Sequence, residues 1–488
     1  FFLMVVATGD RTSDVEQIQI IVQQILQERV DHEDVRWVLL SQALDPSRGE
    51  EPIIRNGALS ELLSQAISSP LQPFRELAFS QLSQQMKFSG AKEFILQLRD
   101  FPTILKAIDD NSESIAAYGG LIISNVGIEI LVNEEYNSLL LSTVNKSDQS
   151  FVRVYSTLFA AAENCEETDF LNLLAENGWF QRFHDRMKLD ESLDPLIMLN
   201  LIEIERNLVE KLFENSSQEK KIAFWFILQK HASQLLETLP GNTKVPLLSL
   251  FLPALLINLG AMLKLFLHLN KTGLFGDGQD FDARFLSVLG HYCESTEETV
   301  LESIVVVLGH FGMTVNSQKN LFASKLFPFY CDALLGSKTL SLTFIASVKE
   351  VLKGSAGGEE GELFCAKVLD SQEKMQLILT RAKSPYINER EIVYQLFEQL
   401  AAIRFGRELI FKTDGLLVWL TDRDQIVESN PEAVWRFGIL QQLITLPDHC
   451  KECIGDHGYL RIREYLSQGC FYCPPEHRVA VASDVNDQ

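Results

Sequence analysis

SPYINEREIVYQLFEQLAAIRFGRELIFKTDGLLVWLTDRDQIVESNPEAVWRFGILQQLI, residues 384–444, decides the fold. Asn388 can cap a helix whose apolar residues are Ile392, Val393, Leu396, Phe397, Leu400 and Ala401. That spacing lays one apolar stripe along a helix and lacks the alternation of a strand. Gly406 predicts a break, and Arg407-Glu408-Leu409-Ile410-Phe411 a short amphipathic piece. Asp414-Gly415 reads as a turn before a short apolar helix, Leu416-Leu417-Val418-Trp419-Leu420. Asn430-Pro431 predicts an N-cap with proline at the first helical position. The stripe expected after it is Val434, Phe437, Gly438, Leu440, Gln441 and Ile444. None of these helices can bury its stripe alone. They need neighbours of the same kind, which is the logic of a helical repeat protein.

Outward from this stretch, the same grammar recurs. Ser13-Asp14 opens a helix, residues 31–40 form a second, and Gln72-Pro73, Ser147-Asp148 and Asp194-Pro195 open others. Ser295 and Glu298 are spaced as a capping box. Turns before short helices, marked by Gly57, Phe101, Tyr136 and Gly178, fall at intervals of about 35 to 45 residues, near the ~40–47 residues of armadillo and HEAT units. No run alternates as a strand between turn residues. The expected fold class is therefore all-α, an armadillo/HEAT-like α-solenoid. A non-repetitive helical domain is the simpler alternative. Residues 271–282 and 354–361, rich in glycine, read as a solvated turn and a flexible connector. The expected organisation is an N-terminal tail at 1–12, the solenoid at 13–473 and a disordered polar tail at 474–488. The first residues, Phe1-Phe2-Leu3-Met4-Val5-Val6, read as a truncated end and not as a signal peptide.

The chain has 488 residues, 46% of them hydrophobic, enough for a large core. Lysine plus arginine is 43 against 66 aspartate plus glutamate, a net charge of −23. Such a chain repels phosphate backbones, which argues against nucleic-acid binding, and steers basic partners. Eight cysteines over this length are too sparse for a disulfide scaffold and point to a reducing compartment. Residues 245–263 carry no charge and are long enough to span a bilayer. Pro246, Pro253, Asn258 and Gly260 interrupt them, so a buried inner helix is expected and no membrane span.

For chemistry, the sharpest candidate is Cys450-x-x-Cys453 with Cys470-x-x-Cys473, a zinc-like spacing. The residues between have helical spacing around Leu460, Arg463 and Glu464. A straight helix there would hold the pairs about 15 Å apart. Ordinary thiols are the expectation, with no stoichiometric zinc. No phosphate loop, zinc-protease helix, serine elbow or dinucleotide fingerprint is present, and nothing nominates a nucleophile or a general base.

The closing run Gly458-Tyr459-Leu460-Arg461-Ile462-Arg463-Glu464-Tyr465-Leu466-Ser467-Gln468-Gly469, then Phe471-Tyr472, resembles the end of proteasome assembly chaperones of the 26S proteasome non-ATPase regulatory subunit 5 family. The resemblance extends back through 384–444. It includes Phe251-Leu252-Pro253, residues 299–311 and Gln318-Lys319-Asn320-Leu321, roughly the C-terminal half. It implies a solenoid that is not an enzyme and needs no cofactor or metal. It also implies a cytoplasmic protein, present in the nucleus too, that binds the C-terminal domain of a proteasome base ATPase subunit and associated base subunits during assembly. Such a protein leaves before the mature particle. The family pattern does not need the two Cys-x-x-Cys pairs. Tyr459, Arg461, Arg463 and Tyr465 become partner-binding candidates because they sit in the matching motif, against the alternative that they cap the last hydrophobic layer. A second function from another class stays open: a general armadillo scaffold or transport adaptor. No asparagine recurs once per repeat to form the ladder such adaptors use.

Overall fold

A computed structural model describes residues 57–472, apart from 89, 99, 166–167, 190–193, 242–247, 271–278, 355–358 and 424–429. The helices expected at 14–40 and both tails, 1–12 and 474–488, lie outside the described residues. Among the described residues every regular element is a helix and none is a strand. The chain divides into two compact units, Phe1–Ala254 and Leu255–Gln488.

In the first unit the helices Gln72–Gln85, Glu113–Val126, Asp148–Asn164 and Pro195–Asn215 pack side by side in succession. Shorter helices, Phe101–Lys106, Glu134–Val144 and Trp179–Arg186, fill the second layer. The starts are set by local chemistry. Ser147 Oγ accepts from Ser150 N at 3.1 Å, and Asp194 Oδ1 accepts from Leu196 N at 2.8 Å ahead of Pro195. Gly178, at φ 71°, admits the left-handed turn before Trp179. Trp179 itself is fully buried, with its ring N–H donated to Asn137 at 3.0 Å.

The second unit repeats the pattern with Glu298–His310, Lys338–Gly354, Ile387–Ala402 and Asn430–Leu443 in succession. The repeat is visible as side-chain bonds between equivalent places of adjacent units of sequence. Arg75 meets Asp110, 35 residues on. Gln372 donates to the Lys412 carbonyl, 40 residues on, and Arg390 donates to Glu432, 42 residues on, at 2.7 Å. A second recurring device is a cation reaching the carbonyls that a helix end leaves bare. Arg153 takes Asp110 O at 3.0 Å, Arg390 takes Ser384 O at 2.8 Å and Arg407 takes Ala401 O at 2.7 Å.

Several local expectations are corrected. The first helix of the 384–444 stretch starts at Ile387, so Asn388 is not its cap. The Ser384 hydroxyl accepts from Tyr386 N and turns the chain earlier. Gly406 is not a breaker: it lies inside Arg404–Lys412. A Cβ there would fall 2.2 Å from Leu400 O, so its role is close approach of two helix ends. In Asn430–Leu443, Val434 and Gln441 face solvent. The buried face is Glu432, Ala433, Arg436, Ile439, Leu440 and Leu443. Polar residues that pair inside the core hid this face from an apolar count. No capping box forms at Ser295, because Glu298 instead accepts from Ser337, just before the next long helix, and from Thr339 in its first turn. Of the two glycine-rich stretches expected outside helices, residues 279–282, 354 and 359–361 are helical, and the rest lie outside the described residues.

The helix Leu248–Asn270 is long and apolar enough to cross a membrane by length and composition. In the fold, 72% of its most apolar window is buried in protein, with Leu255, Leu256, Leu259, Met262 and Leu263 fully covered. That is the inner-helix environment expected from the sequence.

Candidate protein-binding surface

The last helix, Pro447–Gln468, carries the closing motif. It is not one rod. Gly455 is non-helical at φ 71° and ψ 173°, and the helix breaks there. In the second half, Ile462 and Tyr465 lie one turn apart and are buried. Arg423 locks this half in place. Its guanidinium lies 3.5 Å from the centre of the Tyr465 ring. It donates to Tyr465 O at 2.7 Å, Gly469 O at 2.9 Å and Tyr472 O at 3.3 Å. The Tyr465 and Gly469 carbonyls lie at the end of the helix, where a cation also meets the negative pole of the helix dipole. Burial pushes the Tyr465 phenol above its ordinary value, with Arg423 and Arg436 pulling it back.

The rest of the motif faces water. Arg461 and Arg463 are exposed, Leu460 is 60% exposed and Phe471 is 60% exposed. Tyr459 is half-buried, with the Lys451 ammonium 5.2 Å and the Arg463 guanidinium 5.9 Å from its ring centre. The four sequence candidates therefore divide. Tyr465 belongs to the interior layer. Arg461, Arg463 and part of Tyr459 stand on the surface with exposed Leu460, Phe471 and Tyr472. Arginine and aromatic side chains beside apolar ones are the usual composition of a binding hot spot. Arg423 went unnoticed in the sequence, since its clamp depends on a segment 46 residues away.

The same helix decides how the cysteines stand. Cys450 is buried and Cys453 exposed, 3.9 Å from His449 Nε2. Burial pushes the Cys450 thiol up to about 11, so it packs as a small apolar side chain. Cys450, Cys453 and Cys470 do not converge as a three-donor set among the described residues, and Cys473 lies outside them. Residues 459–467 are helical, as their spacing predicts, and the break at Gly455 lies between them and the first cysteine pair.

Solved structures of importin beta share the fold. One in a polyethylene glycol condition has a TM-score of 0.60 at 14% identity, covering 94% of this chain and 55% of that one. Another, in ammonium sulfate, has a TM-score of 0.56 at 13% identity, covering 94% and 54%. A complex of Kap95p with RanGDP has a TM-score of 0.51 at 12% identity, again covering 94% and 54%. The chain spans about half the length of these proteins. Identity this low shows the fold alone: all-α, an armadillo/HEAT-like α-solenoid. No curated protein sequence matches the chain. Residues 362–487, which hold the whole surface described above, match the family model described as proteasome non-ATPase 26S subunit.

Proposed function

We propose that this chain is an assembly chaperone of the 26S proteasome regulatory-particle base, of the subunit 5 type. On this reading it binds the C-terminal domain of one base ATPase subunit, without nucleotide, and leaves before the mature particle forms. It acts by covering surface and not by catalysis, in the cytoplasm and also in the nucleus. The observation that carries this reading is the coincidence of the family match at 362–487 with the exposed arginine–aromatic motif. A helical repeat offers a long surface for a folded partner. Occupying a surface needed later delays wrong contacts, and release follows when tighter contacts form elsewhere.

The test uses the purified full chain and the C-terminal domain of each base ATPase at low salt. One domain is expected to bind. Arg461→Ala with Arg463→Ala is expected to weaken binding at an unchanged melting temperature, since both side chains are exposed. Tyr465→Ala is expected to lower stability by about 3–5 kcal/mol, as loss of a buried aromatic does. Absence of binding to every base ATPase overturns the reading, and capture of transport cargo instead moves it to the adaptor class.

A further inference from the structure

We propose a divalent transition-metal site in the first unit, formed by His184, Glu205 and His231. The three residues come from three helices, Trp179–Arg186, Pro195–Asn215 and Gln218–Thr238. Their donor atoms all lie within 4.8 Å of one another. His184 Nε2 is 2.9 Å from Glu205 Oε1, and His231 Nε2 is 3.6 Å from Glu205 Oε2. All three are buried, Glu205 at 1% exposure and His231 at 3%. The two imidazoles lie parallel, with ring centres 3.9 Å apart and 3° between their planes. Both Nε2 atoms are therefore presented to the same carboxylate.

Hydrogen bonding alone leaves this cluster incomplete. His231 Nε2 is buried and makes no hydrogen bond, and its distance to Glu205 is too long for one. One divalent cation bound by both Nε2 atoms would give His231 Nε2 a partner and place an opposite charge beside the buried carboxylate. It needs the two Nε2 atoms and one carboxylate oxygen at about 2.0–2.2 Å, reached by small side-chain rotations from the present separations. Two imidazoles and a carboxylate, with no thiolate, suit zinc and its first-row neighbours. Three protein donors leave a position for water. The site would staple three consecutive helices, so metal binding would be coupled to the stability of the first unit.

Zinc is the probe. The full chain is stripped with a chelator and titrated with Zn²⁺, following metal content and the thermal midpoint. Stoichiometric uptake with a raised midpoint is expected. Uptake is expected to be lost in Glu205→Gln and His231→Gln, and kept when Cys450, Cys453, Cys470 and Cys473 are all changed to serine. Should the buried variants fail to fold, Co²⁺ on the wild-type chain still decides: nitrogen and oxygen ligation shows no thiolate-to-metal charge-transfer band. No uptake by the stripped wild-type chain overturns the proposal. Uptake that follows the cysteines, or a thiolate band with cobalt, also overturns it.

Discussion

Arg436 is 2% exposed, a cation in the core of the second unit. Its guanidinium stacks 4.5 Å from the centre of the Trp419 ring and donates to Tyr394 Oη at 2.9 Å, Trp419 O at 2.8 Å and Asp422 O at 3.0 Å. Such a group is tolerated because each donor it aims inward meets an acceptor. Asp282 shows the opposite balance. It is buried, bonded to Asn320, and one carboxylate oxygen has no partner. Burial pushes its pKa up to about 6, with Asn320 pulling it back. The folded state thus holds this proton more tightly than the unfolded chain, whose value is about 3.9. The stability contributed by protonation is complete below about pH 4 and is lost as pH rises through about 6. Asp282→Asn cannot ionise. It is expected to raise the thermal midpoint at neutral pH and to change it little near pH 4; equal shifts at both would refute the assignment.

Among elements, close helix contact is the controlling quantity, and two glycines separate it from helix propensity. Gly309 lies near the end of Glu298–His310, and a Cβ there would sit 2.7 Å from Ser347 Oγ and 2.9 Å from Ser347 Cβ on Lys338–Gly354. Alanine would gain about 1 kcal/mol of helix propensity but overpack the contact at about 1–3 kcal/mol. Overpacking wins, so Gly309→Ala is expected to lower stability. Gly438, inside Asn430–Leu443, has only Glu398 Oε1 at 3.8 Å in reach of a Cβ. Gly438→Ala is expected to raise stability by roughly 0.5–1 kcal/mol. Urea unfolding of the two variants reads both signs; a gain in both would show that propensity, not contact, governs these helices.

For the whole molecule, the net charge of −23 sets the long-range field. It favours approach of a basic partner, while the exposed Arg461 and Arg463 offer a local site for carboxylates. If complementary fields guide docking, affinity for the base ATPase domain falls as salt rises, because screening acts over about 8–10 Å at physiological ionic strength. Titration calorimetry from low to high salt checks this. An affinity indifferent to salt would mean that the apolar side chains Leu460 and Phe471 dominate.

Much of the fold was legible because helical repeats are written locally. Caps such as Ser147 and Asp194, the Gly178 turn and the face of Val393, Leu396, Phe397, Leu400 and Ala401 all follow from residues within one or two turns of each other. So was part of the surface: the motif holding Arg461 and Arg463 stands where the family match lies. Polar burial was not legible. Whether Tyr465 faces in or out depends on Arg423, and the inward face of Asn430–Leu443 depends on Tyr394 and Arg390 in an earlier helix. The convergence of His184, Glu205 and His231 lies further out of reach, since nothing in their spacing resembles a metal motif. Sequence determined much of where the described helices lie and several of the residues that end them, because those energies act over one turn. Tertiary structure alone decided which charges are buried, because a buried charge is stabilised by partners brought close only when the helices stack.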